Sequence, residues 1–102
     1  MYEGLIEHGK PVVIKSGYEF TPDESLKYKT IYPMFSWGNT KGAEQLAFAI
    51  LFEEYGFDFA DANYKDFSNR VINKLDGGKD FKLSKKEIEY WRKNSKWKIR
   101  FF

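Results

Sequence analysis

The sequence predicts an α+β fold in which a small antiparallel sheet packs against three helices. Three observations predict it. Two short β-prone runs flank a Gly/Pro turn near the start of the chain. A nearly continuous apolar stretch, Ala43 to Phe52, is bounded by Gly42 and Gly56. Ser84-Lys85-Lys86-Glu87 has the spacing of a helix capping box.

The hairpin covers about residues 2–20. Tyr2–Glu7 is followed by His8-Gly9-Lys10-Pro11 and then Val12-Val13-Ile14-Lys15, which reads as two strands joined by a turn. Ser16-Gly17 breaks the second run, and Tyr18-Glu19-Phe20 resumes it. His8 is a turn residue. Thr21-Pro22-Asp23-Glu24 supplies a cap, a first-position proline and a capping-box acid, so a short helix is expected over about 22–28. The aromatic run from Ile31 to Trp37 reads as an extended segment, and Pro33 confines it to an edge.

The next helix, about 41–55, is capped by Asn39 or Thr40 and stopped by Gly56. It is apolar nearly all round, so it is the hub of the core. A further helix spans about 60–75. Tyr64, Phe67, Val71, Ile72 and Leu75 fall at i, i+3, i+7, i+8 and i+11, one apolar stripe. Asp58 and Asp61 stand near its start, where the helix dipole favours acids. The last helix, about 85–94, buries Ile88 and Trp91, with Leu83 as its hydrophobic staple. The tail, about 96–102, alternates basic with apolar residues and reads as a strand with one buried face. All of this fits one domain over 1–102.

Composition narrows the function. The chain has 102 residues, 20% aromatic, with no cysteine and one histidine. A chain of this size buries about two-thirds of its unfolded surface, so a core forms without staples. The lack of cysteine removes disulfides, Cys-ligated metals and thiol nucleophiles. The expectation is a cytoplasmic domain with no membrane span, metal or cofactor. Lysine is abundant and glutamine scarce, the direction of hyperthermophile compositions.

The net charge of +2 is balanced, but its distribution is not. Glu53, Glu54, Asp58, Asp61 and Asp66 make the middle acidic. Their spacing fits no metal-binding loop, and a solvated face with helix caps explains them. Residues 91–102 carry Arg92, Lys93, Lys96, Lys98 and Arg100 with no acid, interleaved with Trp91, Trp97, Phe101 and Phe102. Cations pair with phosphates and bases stack on aromatic rings, so Arg92, Lys93, Lys96, Trp97, Lys98 and Arg100 are candidates for contact with nucleic acid or another macromolecule. The plain alternative is an edge strand with Trp97 in the core, which can also pair across a two-fold axis into a homodimer.

Trp37-Gly38-Asn39-Thr40-Lys41-Gly42 is the second candidate. A Gly-flanked loop running into a helix N-terminus offers amides and a positive dipole end to an anion. Trp37, Asn39, Thr40, Lys41 and Gly42 would form that site. Its order differs from a Walker A loop, and plain capping with Trp37 in the core explains the same residues.

The run Phe35-Ser36-Trp37-Gly38 with Gly42-Ala43-Glu44-Gln45-Leu46-Ala47-Phe48-Ala49-Ile50-Leu51 resembles a domain-of-unknown-function family of small proteins from crenarchaeal viruses and bacteria. The resemblance continues through Ala60 or Ala62, Phe67, and Leu83-Ser84-Lys85-Lys86-Glu87-Ile88-Glu89-Tyr90-Trp91. It covers about 2–91. The lysine-rich, aromatic character resembles members from acidothermophilic filamentous archaeal viruses. The resemblance implies no activity, substrate or cofactor, so it carries over no site residue. The loop after Trp37-Gly38 is poorer in glycine than the family pattern, and the basic tail looks like an addition to it. The expectation is a non-enzymatic binding domain of viral origin. The alternatives are a ligand-binding or enzymatic domain with the anion site, and a structural or assembly protein.

Overall fold

A computed structural model describes residues 1–20, 35–38 and 42–94. Strand β1 (Tyr2–Glu7) pairs antiparallel with β2 (Lys10–Lys15), and β2 with the two-residue β3 (Tyr18–Glu19). Both turns are two residues long with positive φ at both positions: His8 at 52° and Gly9 at 78°, then Ser16 at 51° and Gly17 at 88°. Left-handed pairs of this kind carry the twist that antiparallel strands need. Histidine is one of the few non-glycine residues that enters this region readily, which suits His8 to its turn.

The remaining elements are α1 (Gly42–Tyr55), α2 (Phe57–Arg70), a 3₁₀ turn at Ile72–Lys74, β4 (Phe81–Leu83) and α3 (Lys85–Lys93). Strand β4 joins the free edge of β1, with Tyr2 opposite Leu83 and Gly4 opposite Phe81, giving the order β3-β2-β1-β4. Alternation places Tyr2, Gly4, Val13, Phe81 and Leu83 on the buried face. Tyr2, Val13, Phe81 and Leu83 share one apolar cluster with Leu46, Phe48, Ile50 and Leu51 of α1 and with Phe59 and Phe67 of α2. Helix α1 is the hub, as its all-round apolar character requires. Two hydrogen bonds tie its end to the sheet: Tyr2 Oη donates to Glu54 at 2.8 Å and Lys15 Nζ to Glu53 at 2.7 Å.

Several elements differ from expectation. Helix α2 begins at Phe57, directly after Gly56, and ends at Arg70. At the β-branched pair Val71-Ile72 the α-helix gives way to a 3₁₀ turn, with Val71 at φ −118°. Strand β4 is an addition. Three residues with Lys82 between Phe81 and Leu83 are too few to declare a strand without the neighbour they pair with. Phe35–Trp37 is irregular rather than a strand. Phe52, expected in the core, is 37% exposed, because the buried run of α1 ends at Leu51. The expected helix at 22–28, residues 31–34 and the expected strand at 96–102 lie outside the described residues.

Candidate functional site

Helix α3 is fixed at its start by Ser84. The Glu87 amide donates to Ser84 Oγ at 3.2 Å, and the Ser84 amide donates to Glu87 Oε1 at 3.0 Å, completing the capping box the sequence signals. Its inner face carries Ile88 and Trp91, both buried. The Trp91 indole meets Phe67 edge-on at 4.6 Å, and its Nε1 donates to Asp66 Oδ2 at 3.0 Å. Asp66 Oδ1 accepts from Arg70 Nε at 2.8 Å. One carboxylate therefore joins α3 to α2 and is occupied on both oxygens.

A second clasp joins α3 to α1. Glu89 accepts from the Tyr55 hydroxyl and from Arg92 Nε and Nη2, the latter at 3.2 and 2.9 Å. The Arg92 guanidinium lies 5.4 Å from the Tyr55 ring centroid. The Arg92 hydrogen bonds, followed by that of Tyr55, hold the Glu89 carboxyl below its usual range. Burial, reinforced by the Glu89 hydrogen bond, pushes the Tyr55 phenol up. It therefore stays protonated as a donor.

The outer face of α3 is different. Tyr90 is 71% exposed. Lys86 and Lys93 stand four residues before and three after it, so all three share one side of the helix. Among the described residues neither lysine forms an ion pair, although Lys93 is near enough to Glu89 to help lower its pKa. Beside Tyr90 a groove of about 450 Å³ opens between α3, β4 and the end of α2. Val71, Leu75, Leu83 and Trp91 wall it with apolar surface, and Arg70, Glu87 and Asn94 stand with Tyr90 among its lining. The volume lies near the lower end of ordinary ligand sites.

The expected site residues fall in three groups. Lys93 is exposed at the end of α3 and belongs to this surface. Arg92 is half-buried and committed to Glu89 and Tyr55, so it serves as a clasp between helices. Lys96, Trp97, Lys98 and Arg100 lie outside the described residues.

The anion loop is corrected at its first residue. Trp37 is 1% exposed, its Nε1 donates to the Lys79 carbonyl at 2.8 Å, and its ring packs edge-on against Phe81 at 4.8 Å. The following amide, of Gly38, is also used, donating to the Ile72 carbonyl at 3.0 Å. Gly42 is buried at the start of α1, and Asn39, Thr40 and Lys41 lie outside the described residues. Trp37 is thus a core anchor and is unavailable to a partner. The acidic group is likewise structural in part: Glu54 holds Tyr2, Glu53 holds Lys15 and Asp66 holds Trp91 and Arg70. Among the described residues no three His, Cys, Asp or Glu side chains are grouped to hold a metal ion, and no helix is long and apolar enough to cross a membrane.

Sequence reasoning passed over Tyr90, Lys86 and the groove. A signal for Tyr90 was present, since it lies off the Ile88–Trp91 stripe on the polar side of α3. An aromatic residue there, bracketed by lysines, has no core to enter.

Among the described residues, fold and surface together define an α+β chain with an exposed face on α3 and a groove beside it. The chain belongs to DUF6166, a family of unknown function, which it matches over residues 2–94. No curated protein and no solved structure matches the chain.

Proposed function

We propose that this chain is a non-enzymatic nucleic-acid-binding domain that works through the outer face of α3. The observation that carries the reading is Tyr90, largely exposed, with Lys86 and Lys93 on either side. Ring faces stack on bases of any sequence, and lysines neutralise phosphates without reading the base. The cations of 91–102 continue from the same end of the helix, with no acid among them. Arg92 contributes little directly because Glu89 holds it, and Lys86 takes its place in the set. A host-cytoplasmic, viral setting belongs to the same reading, supported by the sequence resemblance and by a composition rich in lysine and free of cysteine. A coding sequence found only on a cellular chromosome, apart from any integrated virus, would contradict that part.

The test is fluorescence anisotropy of the full chain with single- and double-stranded DNA and RNA at low salt. Binding is expected to weaken steeply as salt rises, because phosphate contacts release counterions. Failure of every oligonucleotide to bind at ~10⁻⁴ M protein, where sequence-independent binders ordinarily register, overturns the reading.

A further inference from the structure

We infer that the groove beside Tyr90 is the docking site of the chain's own segment 95–102, held there by the apolar side of Trp97, Ile99 and Phe101. The inference is independent of nucleic-acid binding. Place, length and chemistry agree on that occupant. Leu83, Glu87, Tyr90, Trp91 and Asn94 line the groove at i, i+4, i+7, i+8 and i+11, a single stripe from the end of β4 along α3. The groove therefore runs the length of the helix, and the chain leaves the helix at Asn94, inside the groove's own lining. Trp97 follows three residues later. So short a tether keeps the segment at high effective concentration beside the groove. The nine residues of α3 rise about 14 Å. About four or five extended residues cover that distance, so 95–102 turning back along α3 is long enough to span the groove.

The chemistry matches on both sides of the segment. Val71, Leu75, Leu83 and Trp91 make the groove's walls apolar. An extended 95–102 carries Trp97, Ile99 and Phe101 on one side and Lys96, Lys98 and Arg100 on the other. The apolar side leaves water by entering the groove, and the cations stay in water next to Lys93. Charge selects the same occupant. Arg70 is committed to Asp66 at 2.8 Å, so the lining charge with no ion pair among the described residues is the acid Glu87. A segment with three cations and no acid complements that carboxylate, whereas an acidic peptide is repelled by it.

The test uses two fluorescence readouts on the full chain and no nucleic acid, so its result is separate from that of the proposed function. The chain has no cysteine, and Tyr90 is 71% exposed, so Tyr90→Cys gives a bimane fluorophore one attachment point at the rim of the groove without disturbing the fold. An indole quenches bimane on contact. Adding Trp97→Phe is expected to raise the bimane emission, because the phenyl ring keeps the docking and removes the quencher, while Trp91 is common to both chains. The second readout is acrylamide quenching of the unlabelled chain. Trp37 and Trp91 are 1% and 5% exposed, so a docked Trp97 leaves all three indoles shielded, and Trp97→Phe is expected to leave the quenching low and unchanged. Loss of most of the quenching on Trp97→Phe means that Trp97 stands in water and overturns the inference. A shielded Trp97 with unchanged bimane emission buries it away from the groove and overturns the inference equally. Mixing the labelled Tyr90→Cys/Trp97→Phe chain with excess unlabelled chain decides whose segment is docked. Constant emission supports the chain's own; emission that falls on mixing assigns the groove to the segment of a second copy and overturns the docking within one chain.

Discussion

Gly38→Ala tests the role given to the Trp37–Gly38 loop, and Gly9→Ala is its internal control. Both glycines have φ of 78°. An alanine at either position is forced into the left-handed region, at a cost of about 1–2 kcal/mol. The loss of unfolded-state freedom on adding a methyl group is also common to both and cancels in the comparison. Their surroundings differ. A Cβ at Gly9 meets nothing within 4 Å, whereas one at Gly38 falls 2.7 Å from both Cα and N of Gly77 and 3.0 Å from the Leu75 carbonyl oxygen. Those are backbone atoms, and the loop cannot swing away. The Gly38 amide is bonded to Ile72, and the Trp37 indole to Lys79. Overpacking at such a site adds about 1–3 kcal/mol. Gly38→Ala should therefore lose about 2–5 kcal/mol in total, against about 1–2 for Gly9→Ala. At about 4–8 °C per kcal/mol for a domain near this size, the gap between the variants is at least ~4 °C in Tm. Guanidinium denaturation followed by far-UV circular dichroism measures both. Equal losses would refute the close packing of the loop against Gly77 and reopen the loop to a ligand.

Tyr2→Phe removes the hydroxyl that donates to Glu54 and should cost about 1.5–3 kcal/mol in the same denaturation assay, the range for a hydrogen bond to a charged group. Burial and carboxylate partners raise the Tyr2 and Tyr55 phenols in the folded state, so their contribution is complete below the unfolded value near pH 10 and is lost as pH climbs toward the folded value. Stability should fall above about pH 10, and Tyr2→Phe with Tyr55→Phe should flatten that fall. Glu89 has the opposite sign. Its carboxyl is lowered, so its contribution is present above the unfolded value and disappears as pH drops through the folded one, and Glu89→Gln should flatten the acid limb of a pH–stability profile. Ser84→Ala breaks the capping box and should cost about 1 kcal/mol of unfolding free energy in denaturant titration.

How much of this was legible in the sequence depended on whether a residue's environment was local. The first hairpin, the hub helix and the capped third helix were readable because turn chemistry, all-round apolarity and the Ser84–Glu87 spacing act within a few residues. Strand β4 was hidden because three residues become a strand only by meeting Tyr2–Gly4, far away in the chain. Trp37 likewise meets partners far along the chain, Lys79 at a separation of 42 residues and Phe81 just beyond it, so the sequence alone does not show that Trp37 and Gly38 are packed against the Leu75–Gly77 turn. Phe52 fits the apolar pattern of α1 as well as Phe48 does. Only the place where the core ends distinguishes them. Arg92 and Lys93 are adjacent cations in the sequence, yet helix geometry turns one onto Glu89 and Tyr55 and leaves the other outward. The groove could not be read at all, since its walls come from two separate stretches of chain, 70–75 and 83–94.

The most direct measurement is the salt dependence of oligo(dT) affinity for the full chain and for Lys86→Ala/Lys93→Ala. Both lysines are exposed and outside the ion pairs formed among the described residues, so the variant should keep its stability. Each lost contact with a single strand removes about 0.7 from the slope of log K against log salt, so the double variant should bind more weakly with a slope shallower by about 1.4. An unchanged slope and affinity would contradict nucleic-acid binding through the outer face of α3.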